Sequence, residues 1–424
     1  MQSESSLRRV PRVLPWGAAG ALAAVPLGAE AHVKWFSKVV NCVTTPLEMS
    51  DVLAMPLFMG LYLSALVVMA GVFWIDRAVA RYDFRGRGPL ALADASGAAL
   101  FLRGGVAVYF ASVAWYAAYR PFILTPELFS GAPWVPAVQL VIALTVLWGR
   151  TVCIGLSGLL LLYAYSAWIY GWFHLLDYLY FLGISVHLAL HAFGSSRRST
   201  VAPAVLRLSV GFSLMWVGVE KWVYPAWSYD VLNHELRQIA VGIDHRFFVM
   251  AAGFVEFCLA FLVVFGRVSS QVSSIVLLAL LLGAIPLAGP LDAIGHLPLV
   301  VGLLILAVAP QPLVSPPARR RDGKTGWRVC GFALSIPGFI GLYQLAHRAA
   351  YPSYADWPSA ELLAAVALAA LLCLRTARMH RLVQPFQRFT KGVRRRLSAA
   401  TPSRPTASKA EVPGSGAVDT ASST

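Results

Sequence analysis

Apolar residues in this chain come in long, nearly unbroken runs, without strand-like alternation or a heptad repeat. The runs cover about residues 52–75, 98–119, 135–148, 152–169, 174–193, 205–223, 247–265, 272–287, 293–309, 329–345 and 360–374. Roughly 18 apolar residues suffice to cross a bilayer as a helix, and a helix satisfies its own backbone polar groups in lipid. The pattern predicts an all-α fold: a polytopic membrane helix bundle of about 11 transmembrane helices. Pro-rich, aromatic or Gly-Arg connections separate the runs.

Composition agrees with that reading. Charged residues make up 13% of the 424 residues and hydrophobic ones 58%. A soluble domain carries about 25% charged residues. The net charge of +15 is placed in connections rather than on a soluble face. Arg77, Arg81, Arg85 and Arg87 follow the first helix; Arg197 and Arg198, then Arg319, Arg320, Arg321 and Lys324, mark later loops. All these loops fall on one side of the 11-helix count, which the positive-inside rule assigns to the cytoplasm. The expected location is a bacterial inner (cytoplasmic) membrane, with lipid bilayer as partner and the tail 375–424 cytoplasmic, first basic and then rich in Ser, Thr, Pro and Ala. Nucleic acid is excluded as a partner, since no soluble domain carries a basic face.

Residues 1–31 have the form of a signal peptide or signal anchor. Arg8, Arg9 and Arg12 precede a short apolar core, and Ala29-Glu30-Ala31 has the small-x-small form of a cleavage site. Cleavage there would leave His32 at the N-terminus, whose amino group and imidazole are a candidate metal site for copper. The competing reading tucks Trp35 and Phe36 into the membrane interface. Residues 32–97 then comprise an outer segment, the first transmembrane helix and a basic inner loop. Among the five cysteines, Cys42 is the one in a polar segment, no two form a CxxC pair, and neither a disulfide framework nor a thiolate metal site is expected.

Candidate chemistry centres on residues 211–256. An apolar helix there ends in Gly218, Glu220, Lys221 and Trp222, a polar and aromatic connection follows, and Glu256 sits inside the next helix. Ionisable groups in lipid-spanning helices are costly and face an interior, a cavity or a partner. His174 and Asp177 open one helix at the same outer side, and Asp292 and His296 open another, spaced i,i+4 on one face. Glu220, Lys221, Glu256, His296, Asp292, His174 and Asp177 are expected to converge on one outer cavity suited to a quinone headgroup, proton transfer or a metal. The plainer reading is a polar network that fixes helix packing. The aromatics Trp222, Tyr224, Trp227 and Tyr229 read as an interfacial belt. Nucleotide-binding and hydrolase motifs are absent from the sequence.

Two blocks, 98–193 and 204–309, share landmarks. Arg103 corresponds to Arg207, Trp148-Gly149-Arg150 to Phe265-Gly266-Arg267, and Leu176-Asp177 to Leu291-Asp292. A tandem parallel four-helix repeat is expected, with two C-terminal helices over 329–374. In the second block, Leu206-Arg207-Leu208-Ser209-Val210-Gly211 with Gly218 and Lys221, and Gly253-Phe254-Val255-Glu256, resembles the first two helices of the DoxX-like membrane protein family. The resemblance covers residues 204–309 best and 98–193 faintly. It implies small four-helix membrane units, some tied to quinone-linked oxidation and redox stress. The Glu220-Lys221-Trp222 triplet and the long connection after it depart from the family pattern. Three functions stand as expectations: a quinone- or redox-linked membrane protein, a proton-coupled transporter or permease, and an assembly factor for the subunits of a membrane redox complex.

Overall fold

A computed structural model describes residues 34, 37, 39–79, 95–193, 201–234, 242–308 and 325–352. The expected signal segment 1–31, the run 360–374 and the tail 375–424 lie outside these residues. The elements, in chain order, are α1 (Met49–Ala54), α2 (Pro56–Val79), α3 (Ala95–Tyr116), α4 (Trp134–Thr145), α5 (Val152–Tyr170), a 3₁₀ turn (His174–Tyr178), α6 (Leu179–Phe193), α7 (Ala202–Val223), α8 (Pro225–His234), α9 (His245–Phe265), α10 (Val268–Ala288), α11 (Pro290–Val308) and α12 (Thr325–Ala350). Among the described residues the only β feature is an isolated bridge between Phe122 and Phe129. Among the described residues, nine helical spans are long and apolar enough to cross a membrane. The chain is therefore an all-α polytopic helix bundle, and its apolar surface fits contact with a lipid bilayer.

Two elements differ from the sequence pattern. The run 135–148 yields only α4, 12 residues long. At 1.5 Å per residue that is about 18 Å, short of a hydrocarbon core of about 30 Å. The chain turns after Thr145, and the Thr151 hydroxyl donates to Thr145 O at 2.8 Å. The connection after Tyr224 contains α8, begun by Pro225 at a position where its missing N–H costs nothing. The aromatic belt is also corrected: Trp222 and Trp227 are buried. Trp222 packs between Phe58 and Phe254, with ring centroids 5.3 and 4.6 Å away. Trp227 stacks on Tyr224 at 4.1 Å. Burying the rings inside removes more apolar area from water than a half-wet belt position would.

The helices pack in sequence order within two sets. α3 lies on α4, α4 on α5 and α5 on α6; α7 lies on α9, α9 on α10 and α10 on α11. The sets meet where α6 runs along α7 and α11 along α3, while α2 and α12 pack on each other and against α7 and α9. Small residues allow the closest approaches, as expected where lipid supplies no hydrophobic drive between helices. A Cβ at Gly105 would stand 2.6 Å from Val301 Cγ2, and one at Gly253 would stand 3.0 Å from Gly218 O.

Polar groups fasten one end of this bundle. Asp76, buried near the end of α2, accepts from the Ser269 amide at 2.9 Å, the Arg267 amide at 3.1 Å and Arg328 Nη1 at 3.0 Å. Those amides begin α10, so a carboxylate from another helix caps it and meets the positive end of its dipole. Arg207 of α7 donates to Val263 O, Val264 O and Gly266 O at 3.0 to 3.1 Å. These are carbonyls that the end of α9 leaves unpaired within the helix. The opposite end holds a different kind of polar cluster.

Candidate functional site

The chain before α2 folds back onto that opposite end. The Leu47 amide donates to Val223 O at 3.0 Å, and Gln344 Nε2 donates to Leu47 O at 2.7 Å. The Tyr224 hydroxyl donates to Thr44 O, and His347 Nε2 lies 3.0 Å from Cys42 O. Ser37 Oγ donates to Asp230 Oδ2 of α8 at 3.1 Å. The first of these bonds pairs Val223 O, a carbonyl that the end of α7 leaves without an intrahelical partner. Together they set the N-terminal segment between the ends of α7, α8 and α12.

This placement buries Lys34. Its Nζ is 2.6 Å from Asp177 Oδ2 in the 3₁₀ turn and 2.6 Å from Glu220 Oε1 on α7, and all three side chains are almost wholly withdrawn from solvent. Tyr343 of α12 donates to Glu220 Oε1 at 3.0 Å, and the Trp227 ring centroid lies 5.6 Å from Nζ. Burial by itself would depress the lysine pKa, but Asp177 and Glu220 outweigh it and hold the ammonium well above its ordinary range. One cation faces two carboxylates. Asp177 Oδ1 and Glu220 Oε2 are buried without a hydrogen-bond partner among the described residues. Such a group costs free energy unless it is paired, protonated or presented to a ligand.

A second chain of groups lies beside the first. His174 Nε2 is 2.8 Å from Glu127 Oε1, His174 Nδ1 is 3.2 Å from Cys42 Sγ, and the Tyr178 hydroxyl donates to Glu127 Oε1. Glu127 owes its place to a compact loop between α3 and α4. There the Ile123 amide donates to Leu128 O at 2.7 Å, and the Leu128 amide to Thr125 O at 3.0 Å. Buried Gln139 donates to Phe122 O at 2.6 Å and Ile123 O at 3.0 Å, pinning the loop to α4. Tyr163 donates to Leu175 O at 2.7 Å and fixes the 3₁₀ turn that carries both His174 and Asp177.

The other sequence candidates form separate pairings. Lys221 Nζ is 2.6 Å from Glu256 Oε2, with the lysine buried and the carboxylate side chain 20% exposed. His296 Nδ1 is 3.0 Å from Asp292 Oδ1, and both residues are buried at the start of α11. Asp177 and Glu220 share a partner, Lys34, whereas Glu220 and Lys221 take different ones. Consecutive residues on a helix do not face each other, so a triplet Glu-Lys-Trp cannot be an ion pair within itself. His32 lies outside the described residues. Among those described, no three His, Cys, Asp or Glu side chains converge as metal ligands.

Sequence reasoning missed Lys34, Glu127, Tyr343 and the partners of Cys42. One signal was present: two carboxylates at outer helix ends need a cation, and Lys34 is one of few in the outer segments. Nothing in the pattern of α12 marks Tyr343 as different from a core aromatic. No family model matches the chain, and neither curated proteins nor solved structures provide a match.

Proposed function

We propose that this chain is a redox-linked membrane protein whose buried Lys34–Asp177–Glu220 site receives the headgroup of a quinone. The observation that carries the reading is the ammonium between two carboxylates, with Tyr343 on one of them and two carboxylate oxygens unpaired. A headgroup that changes redox state alternates between carbonyl acceptors and hydroxyl donors. A site that suits both forms needs cationic or phenolic donors beside carboxylate acceptors, and Lys34, Tyr343, Asp177 and Glu220 are such a set. Because Lys34 is already engaged by both carboxylates, a headgroup enters by taking over one of those contacts. Bound quinone would supply the electron chemistry; the chain's own residues orient it, exclude water and hold protons at Glu220 Oε2 and Asp177 Oδ1. Extraction of lipids from the purified protein should return quinone near one per chain, and a redox titration should show its transition. Neither signal in protein purified from quinone-containing membranes would end the reading.

The same reading includes an inner-membrane location with a cytoplasmic tail, and two DoxX-like four-helix blocks in tandem. Reciprocal contacts of α6 with α7 and α11 with α3 support the repeat, since a two-fold relation between parallel blocks produces that pattern. So do the matched arginines. Arg207 donates to Gly266 O, and a Cβ on Gly149 would lie 3.6 Å from Arg103 Nη1.

A proton-coupled transporter is the second reading. It is favoured by Lys221–Glu256, an ion pair within two spanning helices whose carboxylate keeps partial access to the surroundings. Substrate-dependent proton uptake in vesicles, abolished in Glu256→Gln, would favour it over the quinone reading.

A further inference from the structure

Cys42, His174 and Glu127 lie in a line, not around a point. The thiol is 3.2 Å from imidazole Nδ1, and Nε2 on the far side of the ring is 2.8 Å from the carboxylate. A metal centre would gather the three on one ion, and these side chains do not form such a group. Their order is that of a nucleophile, a general base and the group that orients the base.

In the neutral imidazole, Nε2 carries the hydrogen toward the Glu127 carboxylate, an acceptor, and Nδ1 presents its lone pair to the thiol. Tyr178 donates to the same Glu127 oxygen, and the 3₁₀ turn that carries His174 is fixed by Tyr163. His347 holds the Cys42 carbonyl at 3.0 Å, which fixes the backbone of the nucleophile. Cys42 itself is partly exposed while His174 and Glu127 are nearly buried. A nucleophile on a partly exposed residue, with its base and orienter more deeply buried, is the arrangement a covalent catalyst needs. The site stands at the end of a membrane helix bundle, where the ester groups of membrane lipids also lie.

We propose that Cys42 is the nucleophile of an acyl-transfer site that takes acyl esters at the membrane boundary, with His174 as general base and Glu127 as positioning residue. His174 Nδ1 takes the thiol proton as Sγ attacks the ester carbonyl carbon. The carbon–sulfur bond forms, the carbon–oxygen bond breaks, and the imidazolium returns the proton to the leaving alkoxide oxygen. Water or an acceptor hydroxyl, deprotonated by the same imidazole, then cleaves the thioester and its proton restores the thiol. Neither quinone nor electron transfer takes part, so this inference stands or falls apart from the redox reading.

The test uses full-length protein in detergent with p-nitrophenyl octanoate as the ester probe. Mass spectrometry should find an octanoyl adduct on Cys42 that hydroxylamine removes, with none in Cys42→Ser. Adduct formation should slow at least about 100-fold in His174→Gln and about 10-fold in Glu127→Gln, within the range usual for general-base groups. The pH profile of Cys42 alkylation by iodoacetamide separates catalysis from structure. Wild type should show an imidazole inflection that His174→Gln lacks, whereas a merely structural histidine would leave the profile unchanged. An adduct that forms equally fast in both variants, an unchanged alkylation profile, or no adduct at all would overturn the proposal.

Discussion

The ammonium of Lys34 reaches Glu220 Oε1 at 2.6 Å, although the residue following Glu220 is itself a lysine. The cation next in sequence is turned away by helix geometry, and one from the segment before α1 takes its place. Removing Lys34 should therefore be expensive, because two buried carboxylates lose their counter-charge. Lys34→Met should destabilise the protein by about 3–5 kcal/mol, the usual cost of breaking a buried pair. Thermal unfolding in detergent measures it. The triple variant Lys34→Met, Asp177→Asn, Glu220→Gln should recover at least half of the loss; a Lys34→Met protein as stable as wild type would contradict the ion core.

The stabilisation has a pH signature. The folded-state pKa of Lys34 is raised above its unfolded value, chiefly against the opposing effect of burial and through Asp177 and Glu220. A raised pKa means the contribution is complete below the unfolded value of about 10.4 and fades as pH climbs through the folded one. The stability difference between wild type and Lys34→Met should therefore not shrink through lysine titration below about pH 10. Parallel melts of the two proteins from neutral to alkaline pH test this, and a gap that closes with a midpoint between about pH 8 and pH 9 would refute it.

Lys221 and Glu256 should couple to each other. Lys221→Met leaves Glu256 uncompensated, and Glu256→Gln leaves a buried lysine without its carboxylate. A double-mutant cycle on these two changes should return a coupling of about 0.5–3 kcal/mol. Additive losses would mean that the 2.6 Å contact contributes nothing.

At the other end of the bundle, Asp76→Ala should cost about 2 kcal/mol, combining a lost helix cap with a lost partner for Arg328. Asp76→Asn keeps an acceptor for the Ser269 amide and should cost about half as much. Equal losses would show that the charge, not the cap, matters.

Much of the fold is legible in the sequence because a membrane helix is specified by length and hydropathy alone. The nine spans follow the apolar runs within a few residues. Boundaries slipped where a different force decided them. α4 stops early at a turn, and α8 forms where aromatic residues gain more by packing on the bundle than by facing an interface. The candidate site was half legible. Glu220, Asp177 and His174 stand out as polar groups in apolar helices. Their partners do not, because Lys34, Glu127 and Cys42 lie in connections where polar residues are ordinary, and long-range folding alone brings them in. Adjacent residues also part company: Glu220 meets Lys34 while Lys221 meets Glu256, because consecutive positions on a helix face different neighbours.

The central claim, that the Lys34–Asp177–Glu220 cluster receives a quinone and exchanges protons with it, is tested most directly by redox-induced infrared difference spectroscopy. Purified protein, with its extracted lipid shown to contain quinone, is cycled between oxidised and reduced states. The difference spectrum should contain quinone carbonyl bands together with a carboxyl band that disappears in Glu220→Gln and shifts in heavy water. A spectrum with no carboxyl change, or one identical in Glu220→Gln, would contradict the account.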